Sequence, residues 1–221
     1  MKKIIAIILA LAALFALSAC NNEEAGPTLA DVTAMYESSA PTKIVTTTTQ
    51  VIGDTITLNS AEEMKTGKID GKLATVYTYS IEQLAEISSG AEIKGAIETV
   101  TGSKEFFDGK VRENGGSWMP DYNFAPAEGD IAINLSEANL KNIVFGQNTV
   151  SFVVEAKNTA AVFGEDNEIE ADVEVVITND GAYITGITLT YTIAESDDYP
   201  EVVVTKTTLY TYDLEEITLF K

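Results

Sequence analysis

The chain carries 34 acidic and 14 basic residues but no histidine, and those residue types bound the chemistry open to it. Without histidine there is no side chain whose ordinary pKa suits general-base work near neutral pH. There is also no Ser-His or Cys-His nucleophile, and the commonest zinc ligand is missing. Catalysis would fall to carboxylates. Glycoside hydrolysis needs two of them facing across a sugar, one with its pKa raised by its surroundings, and no spacing singles out such a pair. The densest acidic run, Glu165-Asp166-Asn167-Glu168 continuing to Glu170, Asp172 and Glu174, offers hard oxygen ligands for calcium. It lacks the spacing and the glycine of an EF-hand loop. Its acids alternate with Ile169, Ala171 and Val173, as on the solvated face of a strand. Asn114-Gly115-Gly116-Ser117 has glycines for a phosphate loop without the strand-to-helix setting such loops need. The expectation is a protein that is not an enzyme and that holds no metal or cofactor.

Cys20, the only cysteine, stands in a setting of its own. It closes the run Leu17-Ser18-Ala19-Cys20 behind a basic pair, Lys2 and Lys3, and the apolar stretch Ile4 to Leu17. That stretch is too short and too sharply ended to span a bilayer, and small residues at Ser18 and Ala19 suit a peptidase pocket. The segment reads as a secretory signal ending in a bacterial lipobox, with residues 1–19 removed and diacylglycerol on the Cys20 thiol. The expected partner is the membrane, reached through that lipid. The expected location is the extracytoplasmic face of the cell membrane. Each buried acyl methylene contributes about 0.8 kcal/mol, so two or more chains anchor durably. No thiol then remains for a disulfide, and the fold rests on packing.

Removing residues 1–19 leaves 12 basic against 34 acidic residues, a net charge of −22. Such a field repels nucleic-acid phosphates, and no basic cluster interrupts it, so nucleic acid is not an expected partner. No feature points to a particular protein partner.

These features have to be positioned by the remainder of the chain. Residues 20–27 form a lipidated cysteine and tether, and residues 28–221 are read as one domain, long enough to bury a core. Thr28 with Asp31 three residues on predicts a capped helix whose Leu29, Val32, Met35 and Tyr36 share a face, ending near Ser38. Lys43 to Ile52 is almost wholly β-branched and predicts a strand, followed by a Gly53-Asp54 turn and a strand from Thr55 to Asn59. Asp70-Gly71 predicts a turn between Met64 to Ile69 and Lys72 to Tyr79. Ser80 and Gln83 suggest a capping box for a short helix through Ile87. Ala91 to Val100 fits helix or strand, with strand preferred from Ile97 to Phe107, turning at Asp108-Gly109 into Lys110 to Glu113. Asn134 or Ser136 caps a short helix through Leu140 and Ile143. Val150 to Lys157 predicts a strand with Val150, Phe152 and Val154 inward. Glu168 to Thr178 and Ala182 to Ile193 predict a hairpin around Asn179-Asp180-Gly181, its return strand turning Tyr183, Ile187, Leu189, Tyr191 and Ile193 inward. Glu201 to Tyr212 adds a strand, and Ile217 to Phe220 packs or pairs at the edge.

The most conspicuous loop, Asn114 to Pro126, sets Trp118, Met119, Tyr122 and Phe124 among glycines and prolines. Loops normally turn polar groups to water, so these side chains tuck onto the domain or rim an apolar pocket. With Tyr183, Leu189, Tyr191 and Tyr210 they make a candidate lining for a hydrophobic ligand; each fits ordinary core as well.

A lipid-modified Cys20, a helix from Thr28 and a long antiparallel sheet together resemble the LolA-like and LppX/LprG-like bacterial lipoprotein carriers. The layout is also similar to surface lipoproteins of gut Firmicutes, in which a Gly-Gly-Ser-Trp segment like Gly115 to Trp118 follows a strand. The resemblance implies an α+β fold, a large twisted antiparallel sheet or half-barrel with two or three short helices. It implies an apolar or amphipathic ligand, such as a lipid, bound in a cavity. The alternative is a cell-surface interaction module that binds protein or glycan and has no internal cavity.

Overall fold

The computed structural model describes residues 26–38, 40–53, 56–84, 96–120, 133–197, 200–213 and 217–220. The signal, Cys20, Tyr122, Phe124 and the end of the helix expected from Ser80 lie outside the described residues. Among the described residues two helices, α1 (Leu29–Ser38) and α2 (Thr159–Phe163), accompany β1 (Lys43–Ile52), β2 (Ile56–Ile69), β3 (Lys72–Leu84), β4 (Ile97–Phe107), β5 (Lys110–Glu113) and β6 (Met119–Pro120). Then come β7 (Leu140–Phe145), β8 (Thr149–Val154), β9 (Val173–Asn179), β10 (Ile184–Ile193) and β11 (Val202–Thr211). Hydrogen bonds join these 11 strands into one unclosed antiparallel sheet in the order β6-β5-β4-β3-β2-β1-β11-β10-β9-β8-β7. This is the expected sheet-rich α+β fold. Contacts gather the described chain into two compact units, one from residues 26–38 and 133–187, the other from residues 40–120 and 188–220. Among the described residues no helix is long and apolar enough to cross a membrane.

In the first unit, α1 starts as its sequence dictates. The Thr28 N–H donates to Asp31 Oδ2 at 2.8 Å, and the Asp31 N–H donates to Thr28 Oγ1 at 3.2 Å. Two of the helix's orphan donors are thereby satisfied. The inward positions of β8 and β9 pair across the strands as Val150 with Ile177, Phe152 with Val175 and Val154 with Val173, all at most 2% exposed. Val32, Val162 and Phe163 bring the helices into the core. Thr159 ties α2 down: its hydroxyl accepts the Ile169 N–H at 3.0 Å and lies 2.9 Å from the Ala156 and Ile169 carbonyls.

The structure corrects several expectations. The helix expected from Asn134 or Ser136 is a three-residue 3-10 turn, Glu137–Asn139, followed by strand β7. Pairing with β8 wins, and Asn142 at φ 53° absorbs the irregularity between Lys141 and Val144 in a conformation asparagine tolerates. The strand expected to run to Lys157 ends at Val154, and the one expected from Glu168 begins at Val173; 3-10 turns, Ala156–Asn158 and Glu165–Asn167, and the unforeseen helix α2 fill the interval. In β10 the inward face changes phase, since Ile184 and Gly186 are buried and then Ile187 and Leu189. Tyr183, expected inward, is therefore 41% exposed, and Ile193 at the strand end is 51% exposed.

The second unit is built on hairpins. Asp70-Gly71 and Asp108-Gly109 each place two consecutive residues at positive φ, the two-residue turn that matches strand twist. Beyond the first of these, β3 runs on to Leu84 where a helix was expected from Ser80. Ser80 pairs with Thr101, Ile81 with Val100 and Leu84 with Ile97. A helix of so few residues is marginal alone, and a full-length strand partner displaces it. Threonine hydroxyls meet at 3.2 Å across strands at Thr46 and Thr208, Thr66 and Thr75, and Thr188 and Thr207. Ala74, Val76 and Ile217 form a small core, with Ile69, Phe107 and Leu219 packed against it. The C-terminal segment is thus seated on the sheet. It is also latched there: Glu105, 1% exposed, accepts the Phe220 N–H at 2.5 Å and the Arg112 Nε–H, while Arg112 Nη2 donates to the Phe220 carbonyl.

The carboxyl environments set an acid limit on stability. Hydrogen bonds from the Thr28 hydroxyl and N–H hold the Asp31 carboxyl below its ordinary pKa, Lys141 and Lys157 do so for Glu155, and the Tyr183 and Ala182 N–H groups for Asp180. Burial raises the pKa of Glu63, but hydrogen bonds from Lys65 and Lys43 outweigh it and leave the pKa lowered. A depressed folded pKa gives stability that is complete above the unfolded value near 4 and is lost as pH falls through the folded value. With no histidine to titrate, thermal melts followed by circular dichroism should hold their midpoint from pH 7 to about 5 and fall below about pH 4. A midpoint that rises on acidification would show instead that relief of the negative net charge dominates.

Candidate functional site

The side chains expected to line an apolar site are dispersed. Trp118 and Met119 stand at the β5–β6 end of the sheet. Trp118 is half-buried beneath the Arg112 guanidinium, 4.6 Å from its ring centre, and Met119 is 55% exposed. Leu189, Tyr191 and Tyr210 lie on β10 and β11, with β5, β4, β3, β2 and β1 between them and β6. The Thr188–Thr207 hydroxyl contact puts those two side chains on one face, so Leu189, Tyr191 and Tyr210 share the other. Leu189 is buried core, Tyr191 and Tyr210 are half-buried, and burial raises the Tyr191 phenol above its ordinary pKa. Tyr183 belongs to the first unit, exposed in the turn just before β10.

Another set of residues converges in the first unit, around an open cleft of about 400 Å³ lined by Gly26, Pro27, Asp31, Met35, Gln147, Asn148, Asn179 and Gly181. Three local structures build it. The start of α1 supplies Asp31 and Met35. The β7–β8 turn supplies Gln147 and Asn148, closed by the Gly146 N–H to the Thr149 carbonyl at 2.8 Å. The β9–β10 turn supplies Asn179 and Gly181, held by Asp180 Oδ1, which accepts the Ala182 and Tyr183 N–H groups at 2.9 and 2.8 Å. Gly26 seats the chain's entry, because a Cβ there would lie 2.4 Å from the Gly146 carbonyl oxygen. Only glycine allows that approach.

Asn179 is the unusual member. It is 5% exposed; its N–H donates to the Asn148 carbonyl at 3.0 Å, and its Oδ1 accepts the Gly181 N–H at 3.1 Å. The Gly181 bond fixes the amide orientation, since turning it over would set NH₂ against N–H. Nδ2 is then a donor closed off from solvent and without a partner among the described residues. Leaving such a donor unmet costs about 1–3 kcal/mol, a cost that an enclosed water would remove.

Among the described residues the lining contains one charged group, Asp31, and no lysine or arginine. Among the described residues no three metal-ligating side chains come together. In the sequence Asn179 read only as a turn former, while Gln147 and Asn148 carried no signal. Only the β9–β10 turn is readable in the sequence, and the fold alone brings the two turns together beside α1.

Compared with models of known protein families and with curated proteins, the chain matches none.

Proposed function

We propose that this protein is a lipoprotein of the extracytoplasmic membrane face, held by lipid on Cys20, and that it is a binding module rather than an enzyme. Its ligand is polar and enters the cleft beside the tether, as befits a surface interaction module. The observation that carries this is the cleft itself: about 400 Å³, within the range of small-molecule sites, and lined among the described residues largely by the polar residues Asp31, Gln147, Asn148 and Asn179. Position adds support. Gly26 follows Cys20 by six residues, a length that reaches at most about 20 Å when extended. A lipid on Cys20 therefore keeps the cleft near the membrane surface.

A half-barrel carrier of an apolar or amphipathic ligand, in the LolA-like manner, is the second reading. It is favoured by the shared face of Leu189, Tyr191 and Tyr210 on neighbouring strands. One experiment separates the two. The full chain and Cys20→Ser are expressed in a bacterial host fed a clickable fatty acid, beside a form exported behind a signal that lacks a lipobox. Label is expected on the wild type and not on Cys20→Ser, and native mass spectrometry of the unlipidated form should give the bare polypeptide mass. Label on Cys20→Ser would sink the anchor. A co-purifying lipid lost on Leu189→Ala would install the carrier instead.

A further inference from the structure

We infer that the tether end of the first unit is a membrane-contact surface, with Val144, Phe145 and Tyr183 seated at the headgroup level of the bilayer that the Cys20 lipid enters; this goes beyond the anchor and rests on it. The turns at that end fix the placement. Strand β7 finishes at Phe145 and β8 begins at Thr149, while β9 finishes at Asn179 and β10 begins at Ile184. The Asn179 N–H donates to the Asn148 carbonyl, so both turns lie at one end of these strands. The chain enters there as well, since a Cβ on Gly26 would stand 3.8 Å from Phe145 Cβ.

Exposure is spread unevenly over the unit. Val144 is 61% exposed, Phe145 46% and Tyr183 41%, and among the described residues of this unit they are the exposed large hydrophobic side chains. All three lie at the tether end. Single exposed apolar residues are ordinary on a soluble protein, but here they gather where the chain enters and not elsewhere. The opposite end, where β8 gives way to β9, carries the exposed acids Glu165, Asp166, Glu168, Glu170 and Asp172. Seating the first end and leaving the second in water suits both, because apolar groups gain by leaving water and acids are repelled by anionic headgroups. The tether decides what the surface meets. Gly26 follows Cys20 by six residues, which reach at most about 20 Å, so a lipid on Cys20 holds Phe145 close to the interface at all times. Among the described residues the start of α1 and the two turns carry charge only on Asp31 and Asp180. The contact is therefore apolar and gains nothing from anionic lipid.

The test uses the full chain, lipidated in its host and reconstituted into vesicles of phosphatidylcholine with brominated acyl chains. Trp118 is the only tryptophan, so Trp118→Phe clears the background. Phe145→Trp then reports from the surface and Glu165→Trp from the opposite end. Bromine is expected to quench about half of the Phe145→Trp emission and no more than about a tenth of that from Glu165→Trp. Should Phe145→Trp fail to fold, Tyr183→Trp, in a turn, gives the same reading. Adding Val144→Asp should lower the quenching about threefold while the chain still floats with the vesicles. Flotation separates the two levels. A chain that floats without quenching, or is quenched equally at both ends, overturns the contact surface and leaves the anchor standing. A chain that does not float sinks the anchor and the contact with it. Vesicles that also contain phosphatidylglycerol should quench less; stronger quenching there would overturn the apolar contact in favour of one made through charge.

Discussion

Arg112→Ala is expected to destabilise the protein by about 3–5 kcal/mol, the cost of stranding a buried charge. Glu105 has a side chain 1% exposed and Arg112 one 12% exposed, so the pair is shielded from the solvent screening that makes surface ion pairs weak. Without Arg112 the carboxylate keeps only the Phe220 N–H among its described partners, and Phe220 loses a donor to its carbonyl. Trp118 loses the cation over its ring as well. Urea unfolding reads the change directly, and a loss below about 1 kcal/mol would mean that the pair behaves as an exposed one. Replacing both partners, as in Glu105→Leu with Arg112→Met, should recover most of the loss, because apolar groups of similar volume leave no charge to solvate.

Phe152→Ala should cost about 3–5 kcal/mol by a different route, the loss of buried apolar surface and the cavity left behind. Phe152 is 2% exposed, faces Val175 across the ladder, and has Val150 and Val154 as neighbours on its own strand face. Those side chains are β-branched and held in a regular register, so they collapse poorly into the gap. Phe152→Leu should cost less than about 1.5 kcal/mol. Ser151→Ala, on the opposite face of β8, should stay within about 0.5 kcal/mol. Equal losses for Phe152→Ala and Phe152→Leu in a urea titration would point to the aromatic ring itself rather than to volume.

Local signals were legible wherever the deciding physics was local. Thr28 and Asp31 cap α1 reciprocally, Asp70-Gly71 and Asp108-Gly109 turn as their types require, and Val150, Phe152 and Val154 alternate inward. Misreadings fell where a partner strand overrode a weak local preference. Ser80 to Leu84 looked helical until β4 paired along it, and Leu140 to Ile143 until β8 did. Helix α2 was missed because Thr-Ala-Ala-Val-Phe is too short to show a period. The phase change in β10 cannot be read from alternation, since Ile187 and Leu189 fit the expected face and only Tyr183 betrays the slip. Glu105 looked like any acid in a strand, and its burial depends on a C-terminal segment whose Phe220 is 115 residues away. The cleft was hidden for the same reason, because its amides come from two turns that only the sheet order brings together.

The pairing of β1 with β11 sets a timetable for the chain's biogenesis. Strand β1 completes one edge with β2 as soon as that hairpin forms, but its other edge waits for β11, and the Thr42 hydroxyl reaches a carbonyl 169 residues further along. A polypeptide emerging from the ribosome N-terminus first therefore carries an unfinished edge until β11 has emerged. That edge is Lys-Ile-Val-Thr-Thr-Thr-Thr-Gln-Val-Ile, β-branched at most positions and free of proline and glycine, the composition that zips with copies of itself. Pairing of such high contact order is intrinsically slow. The hazard for this protein lies in its synthesis, where crowding of nascent chains competes with the arrival of β11.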